Sequence, residues 1–119
     1  MTPTEQEALV RRSFAAYMTA ARADIEAILH PEFTFTSPYD DHIGRAEYFE
    51  RCWPNAGTFE RLDIQQVTAT GDGCFVLYEG RSKRGGGFRN TEYFRFVAGQ
   101  ICSVEVFFGR EPGGEAQPK

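Results

Sequence analysis

Apolar positions recur at helical spacing near the start of the chain. Val10, Phe14, Tyr17, Met18 and Ala21 fall on one stripe, with Arg11, Arg12 and Thr19 elsewhere. Thr4 and Glu7 read as a capping box, so the pattern predicts a first helix over residues 4–21. A shorter helix starts at Asp24, buries Ile25, Ile28 and Leu29, and stops before Pro31, because a residue preceding proline is pushed out of the α region. His30 sits at that end and reads as a structural group favoured by the helix dipole. Phe33-Thr34-Phe35-Thr36 then alternates with period two, as a strand does. Ser37-Pro38-Tyr39-Asp40-Asp41 is turn chemistry, and Gly44 frees the backbone before a third helix over 45–53. Tyr48/Cys52 and Phe49/Trp53 are i,i+4 pairs on that helix.

The second half alternates. Glu60 to Thr70 loses phase at Gln65-Gln66, which predicts a β-bulge and a bend. Gly71-Asp72-Gly73 is a tight turn into Cys74 to Ser82, a strand apolar on both faces and therefore central. Gly85-Gly86-Gly87 reads as a mobile loop before Phe88 to Val97, and Ala98-Gly99-Gln100 turns the chain into Ile101 to Phe108. This is an α+β layout, with three N-terminal helices packed on a curved antiparallel β-sheet. Residues 1–109 form a single domain and residues 110–119 a disordered tail.

Composition refines that picture. A chain of 119 residues with 41% hydrophobic residues and 11 Phe can line a cavity as well as fill a core. The net charge of −4 lacks the basic stripe of a nucleic-acid binder, and Arg81-Ser82-Lys83-Arg84 reads as a solvated hairpin cap. No apolar run approaches a membrane span and no apolar leader opens the chain, so neither a membrane nor export is expected. Cys52, Cys74 and Cys102 are odd in number and widely spaced, as reduced thiols of a cytoplasmic protein would be. His30 and His42 belong to no metal motif, and the glycine run precedes no helix that would cradle phosphate; no metal and no cofactor are expected.

The chemistry-bearing residues fall in two places. Asp40, Asp41 and His42 form an acidic knot whose adjacent carboxylates can supply a base, their pKa raised by like charge. The bland alternative makes Asp40 an acceptor of turn amides, Asp41 a cap and His42 a solvated side chain. Glu92 shares a strand face with Phe88, Asn90, Phe94 and Phe96, and a lone carboxyl among aromatics should resist ionisation. Its alternative is pairing with Arg89 or an arginine of the third helix. Tyr17, on the inner helical stripe, can point a donor into a cavity.

A set of short segments then carries a resemblance. They are Val10-Arg11-Arg12 with Ala15-Ala16-Tyr17, and Leu29-His30-Pro31-Glu32-Phe33. Phe35-Thr36-Ser37-Pro38 followed by Ile43-Gly44-Arg45, Tyr93-Phe94-Arg95-Phe96 and Val106-Phe107-Phe108-Gly109 complete it. In this order the chain, over residues 5–109, resembles the NTF2-like superfamily in its bacterial SnoaL-like or ketosteroid-isomerase-like branch. The resemblance implies a cone open at one end, and a homodimer through the outer sheet face, where Tyr93, Arg95, Glu105 and Phe107 would lie. It also implies that the face of Phe88 to Phe96 lines the cone, as does that of Cys102, Val104, Val106 and Phe108. A ketosteroid isomerase uses a carboxylate base, an oxyanion tyrosine and a protonated aspartate. Those positions fall on Ser37, Phe14 and Glu92, so only the acid survives.

Two functions follow as expectations. In one, the cone binds a small, largely apolar organic molecule and moves a proton next to a carbonyl, in isomerase, cyclase or hydratase fashion. Asp40, Asp41 or His42 would move the proton, and Glu92 and Tyr17 would donate hydrogen bonds. Phe14, Phe35, Ser37, Tyr48, Trp53, Asn90, Phe94, Phe96, Val104, Val106 and Phe108 would contact the ligand. In the other, the same cavity belongs to a non-catalytic ligand-binding or dimerisation module.

Overall fold

The computed structural model describes residues 1–109; the tail expected over 110–119 lies outside the described residues. Three helices, α1 (Pro3–Thr19), α2 (Arg22–Ile28) and α3 (Arg45–Arg51), pack on one face of a six-stranded sheet. The strands are β1 (Leu29–Ser37), β2 (Asp40–Gly44), β3 (Phe59–Ala69), β4 (Gly73–Ser82), β5 (Gly87–Val97) and β6 (Gln100–Phe108), and a 3₁₀ turn, Trp53–Asn55, follows α3. Their order across the sheet is β2-β1-β6-β5-β4-β3. β1 and β6 run parallel and the other neighbours antiparallel, so the sheet is mixed where the hairpin pattern alone predicts antiparallel pairing throughout. Between β1 and β3 the chain passes through β2, α3 and the 3₁₀ turn, and β1 lies beside the last strand, β6.

Local chemistry sets the element ends. The capping box is Thr2 with Glu5, one turn-half earlier than Thr4 with Glu7, because Pro3 lacks an N–H and suits the first helical position. Ala20 closes α1 in the left-handed region, at φ 54°, and so takes Ala21 out of the helix. His30 lies in β1, not at a helix end, and its Nδ1 accepts the amide of Glu32. The Asp40-Asp41-His42 knot is a strand rather than a turn. Only Pro38 and Tyr39 turn, and β2 pairs back on β1 with Phe35 opposite Ile43.

Of the breaks in strand register, those on β3 and β6 bear most on which side chains face inward. On β3, Ile64 faces Tyr78 while Gln66 faces Leu77, so the extra residue sits where the sequence loses phase. On β6, Arg95 faces Ser103 but Phe96 faces Ile101. Cys102 is the extra residue, so Ile101, fully buried, takes the inward position expected of Cys102. The core fills the space between helices and concave face, with Val10, Ile25, Phe33, Cys74, Val76 and Ile101 at its centre. Among the described residues no helix is long and apolar enough to cross a membrane.

Candidate functional site

The β4–β5 register sets Cys74 beside Phe94, Val76 beside Glu92, Tyr78 beside Asn90 and Gly80 beside Phe88. Alternation turns these pairs to the helix side. Gly80 is needed there, since a Cβ would lie 2.2 Å from Cζ of Phe88. From α1, Phe14 meets the edge of Tyr78 with ring centroids 4.8 Å apart. From α3, Tyr48 reaches across and donates its hydroxyl to that of Tyr17 at 2.6 Å. What remains between helices and sheet is an open cavity of about 750 Å³, within the size range of small-molecule sites. Its deep end is apolar, with Ile25, Leu29, Phe33 and Ile101 nearly inaccessible to solvent. Its lip carries Tyr39, Arg51, Arg84 and Phe108.

Glu92 stands on the cavity wall and is half-buried. Tyr78 donates its hydroxyl to Oε2 of Glu92, and Asn90 Nδ2 donates to the Tyr78 oxygen at 3.1 Å. Among the described residues no cation pairs with Glu92: Arg89 is taken by Glu79 at 2.9 Å and Arg45 by the carbonyl of Glu26 at 2.7 Å. Burial raises the Glu92 pKa to about 7, against the opposing pull of the Tyr78 hydrogen bond. Burial likewise pushes the phenols of Tyr17, Tyr48 and Tyr78 upward, and the negative charge of Glu92 adds to each shift. All three therefore keep their protons at any ordinary pH. Tyr17 accepts a hydrogen bond from Tyr48 and donates to no described residue, which leaves its own O–H for whatever occupies the cavity.

The acidic knot is split by the fold. Asp40 lines the cavity mouth with its side chain 9% exposed, and Arg51 holds its Oδ1 at 2.7 Å. Ser37 Oγ lies 3.5 Å from Asp40 Oδ2, and the Cys52 thiol 4.0 Å. Asp41 and His42, expected as possible proton carriers at the mouth, instead stand in solvent and pair with each other at 2.6 Å, with side chains 90% and 64% exposed. His42 adopts φ 51°, and this left-handed residue takes the phase change that lets Asp40 and Ile43 both turn inward.

Of the residues expected to contact a ligand, Phe14, Phe35, Ser37, Tyr48, Asn90, Phe94, Val104, Val106 and Phe108 line the cavity, as does Tyr17. Trp53 and Phe96 do not. Trp53 backs the wall, edge-on to Tyr17 at 5.1 Å and to Phe49 at 5.9 Å, and Phe96 packs against the core beyond the β6 bulge. Tyr78, Arg51 and Arg84 line the cavity as well, although the sequence pattern did not point to them. Tyr78 could have been found by extending the Cys74-Val76-Tyr78 alternation across the hairpin to Asn90 and Glu92. Among the described residues no group of three His, Cys, Asp or Glu side chains is placed to hold a metal.

Comparison with known proteins gives the same architecture. The model of the SnoaL-like domain family matches residues 10–104. A candidate ketosteroid isomerase from Kribbella flavida superposes with TM-score 0.79 at 20% identity, over 98% of this chain and 84% of that one. An NTF2-like protein of unknown function from Burkholderia xenovorans gives TM-score 0.78 at 14% identity, over 96% and 88%. AclR, a candidate hydroxylase from Streptomyces galilaeus, gives 0.74 at 16%, over 91% and 77%. At these identities the likeness is one of fold. No curated protein matches the chain.

Proposed function

The chain belongs to the SnoaL-like domain family, and from that premise we propose that its cavity binds a small, largely apolar organic molecule and moves a proton next to the carbonyl of that molecule. The observation that carries this reading is Glu92: an acid on an apolar cavity wall, without a cation among the described residues, whose pKa of about 7 suits proton transfer near neutrality. In its ionised form Glu92 takes the proton from the carbon beside the carbonyl and returns it to the same or a neighbouring carbon. Tyr17, polarised by the hydrogen bond from Tyr48, donates to the oxygen on which charge develops. Asp40 stays a fixed lip residue, its charge answered by Arg51.

The test is deuterium uptake next to the carbonyl of cyclohexanone or a bicyclic aryl ketone in heavy water, followed by NMR. The expected result is acceleration by the protein and a loss of about 10²-fold or more in Glu92→Gln. Uptake unaffected by that substitution removes Glu92 from the reaction. Binding of the ketone with no exchange at all supports the second reading, a non-catalytic binding module. The clamping of Asp40 and the outward placement of Asp41 and His42 favour that reading, since among the described residues they leave the cavity one free acid rather than several.

The convex face supports a homodimer. Phe75 and Tyr93 stack there with centroids 4.4 Å apart, beside Leu77 and Phe107, which are 43% and 55% exposed. Free thiols at Cys52, Cys74 and Cys102 fit a reducing, cytoplasmic setting.

A further inference from the structure

Arg84 sits in the turn between β4 and β5 and lines the lip of the cavity. The turn is tied down by its backbone: Ser82 N bonds Gly86 O at 3.0 Å, Lys83 N bonds Thr58 O at 3.0 Å, and Arg84 N bonds Ser82 Oγ at 3.1 Å. Among the described residues its guanidinium has no acidic partner. Its neighbours are committed, Arg81 to Glu60 at 3.6 Å and Arg89 to Glu79 at 2.9 Å. The other cation of the lip, Arg51, is held between Asp40 at 2.7 Å and Glu47 at 3.3 Å. Among the described residues of the lip, the Arg84 guanidinium is therefore the one left uncommitted, and Thr58, Ser82, Phe59 and Phe88 line the same cavity.

An apolar cavity whose lip carries, among the described residues, one cation without an acidic partner selects for an amphipathic anion. Resting on the reading that the cavity takes a small apolar organic molecule, we infer that this molecule is a monocarboxylic acid, its apolar body inside and its carboxylate on Arg84 at the lip. A planar guanidinium offers a carboxylate two parallel N–H donors. A phosphate monoester, carrying more charge, would need a second free cation, and the chain's net charge of −4 works against it. Of the acids facing the cavity, Asp40 is answered by Arg51, and Glu92 lies on the β5 wall rather than in the turn, so neither occupies the anchor.

The experiment compares octanoate, methyl octanoate and octyl phosphate by isothermal calorimetry at low salt, on the full chain. Wild type should bind octanoate about tenfold more tightly than the ester, a preference of about 1.4 kcal/mol. Arg84→Gln should erase that preference while leaving ester affinity unchanged. Arg81→Gln, on the same hairpin but away from the cavity, should keep it. Equal affinity for acid and ester, or a preference that survives Arg84→Gln, overturns the anchor and leaves the cavity reading standing. Octyl phosphate binding more tightly than octanoate in an Arg84-dependent way overturns the choice of carboxylate. Absence of binding by all three overturns both the anchor and the cavity reading.

Discussion

Tyr78 and Glu92, two residues out of register on adjacent strands, meet through a hydrogen bond from phenol to carboxylate. Two opposing effects thus set the acid: burial pushes its pKa up, and the Tyr78 donor pulls it down. Tyr78→Phe should therefore carry the Glu92 pKa further above neutrality, as an isotope-edited NMR titration of the carboxyl would record. It also leaves Asn90 Nδ2 and Glu92 short of a partner, at a cost of about 1–2 kcal/mol in stability. A titration that moves downward would mean the bond favours the protonated acid instead.

The same acid burdens the fold at high pH. Its pKa lies near 4.5 when unfolded and about 7 when folded, so the folded state holds the proton more tightly. Below the lower value both states are protonated and nothing is lost. Stability then falls as pH rises between the two values, by about 3 kcal/mol in all, and is flat above. Glu92→Gln should accordingly be more stable than wild type at pH 8, and the gap should close as pH falls toward the unfolded value. Urea midpoints at a series of pH values measure this; a gap independent of pH would place the carboxylate in water.

Glu92 was legible because β5 alternates without interruption from Phe88 to Phe94, and period two puts a residue on one face or the other without further information. Tyr78 was not, because β4 is apolar on both faces: Phe75 and Leu77 point outward with as much grease as Val76 and Tyr78 point inward. Only the partner strand breaks that tie. Asp41 and His42 misled for a different reason. Asp and His are poor strand formers, so the hairpin partner of β1 looks like a turn, and the left-handed His42 spoils the alternation that would have sorted the knot. Cys102 and Phe96 fell to a bulge with no Gly or Pro to announce it.

At the lip, Asp40 and Arg51 should behave as a coupled pair. Arg51 is half exposed but Asp40 is nearly covered, so removing the cation strands a shielded carboxylate. Arg51→Gln is expected to cost about 1–2 kcal/mol, less than a fully buried pair because water still reaches the arginine. Asp40→Asn should cost less. In urea unfolding the double variant should lose at least about 0.5 kcal/mol less than the two single losses combined. Strict additivity would show that each side chain is held by other contacts.

The convex face poses the remaining question. Phe75, Leu77 and Phe107 project away from the core, and the stacked Phe75–Tyr93 pair is flanked by Arg95 over the Tyr93 ring at 5.5 Å. Apolar side chains in such a patch gain by being covered, and a two-fold interface covers the same patch on both copies. That symmetry doubles the penalty for a charge, since one substitution places two lysines in the contact. Leu77→Lys should convert a dimer to a monomer in sedimentation velocity while leaving the far-ultraviolet circular dichroism unchanged, because Leu77 touches solvent rather than core in the single chain. Ligand affinity should persist in that monomer, because the cavity opens on the opposite side of the sheet. A wild-type protein that sediments as a monomer at millimolar concentration would leave this face without a self-partner, and loss of ligand binding on dissociation would mean that the partner copy completes the site.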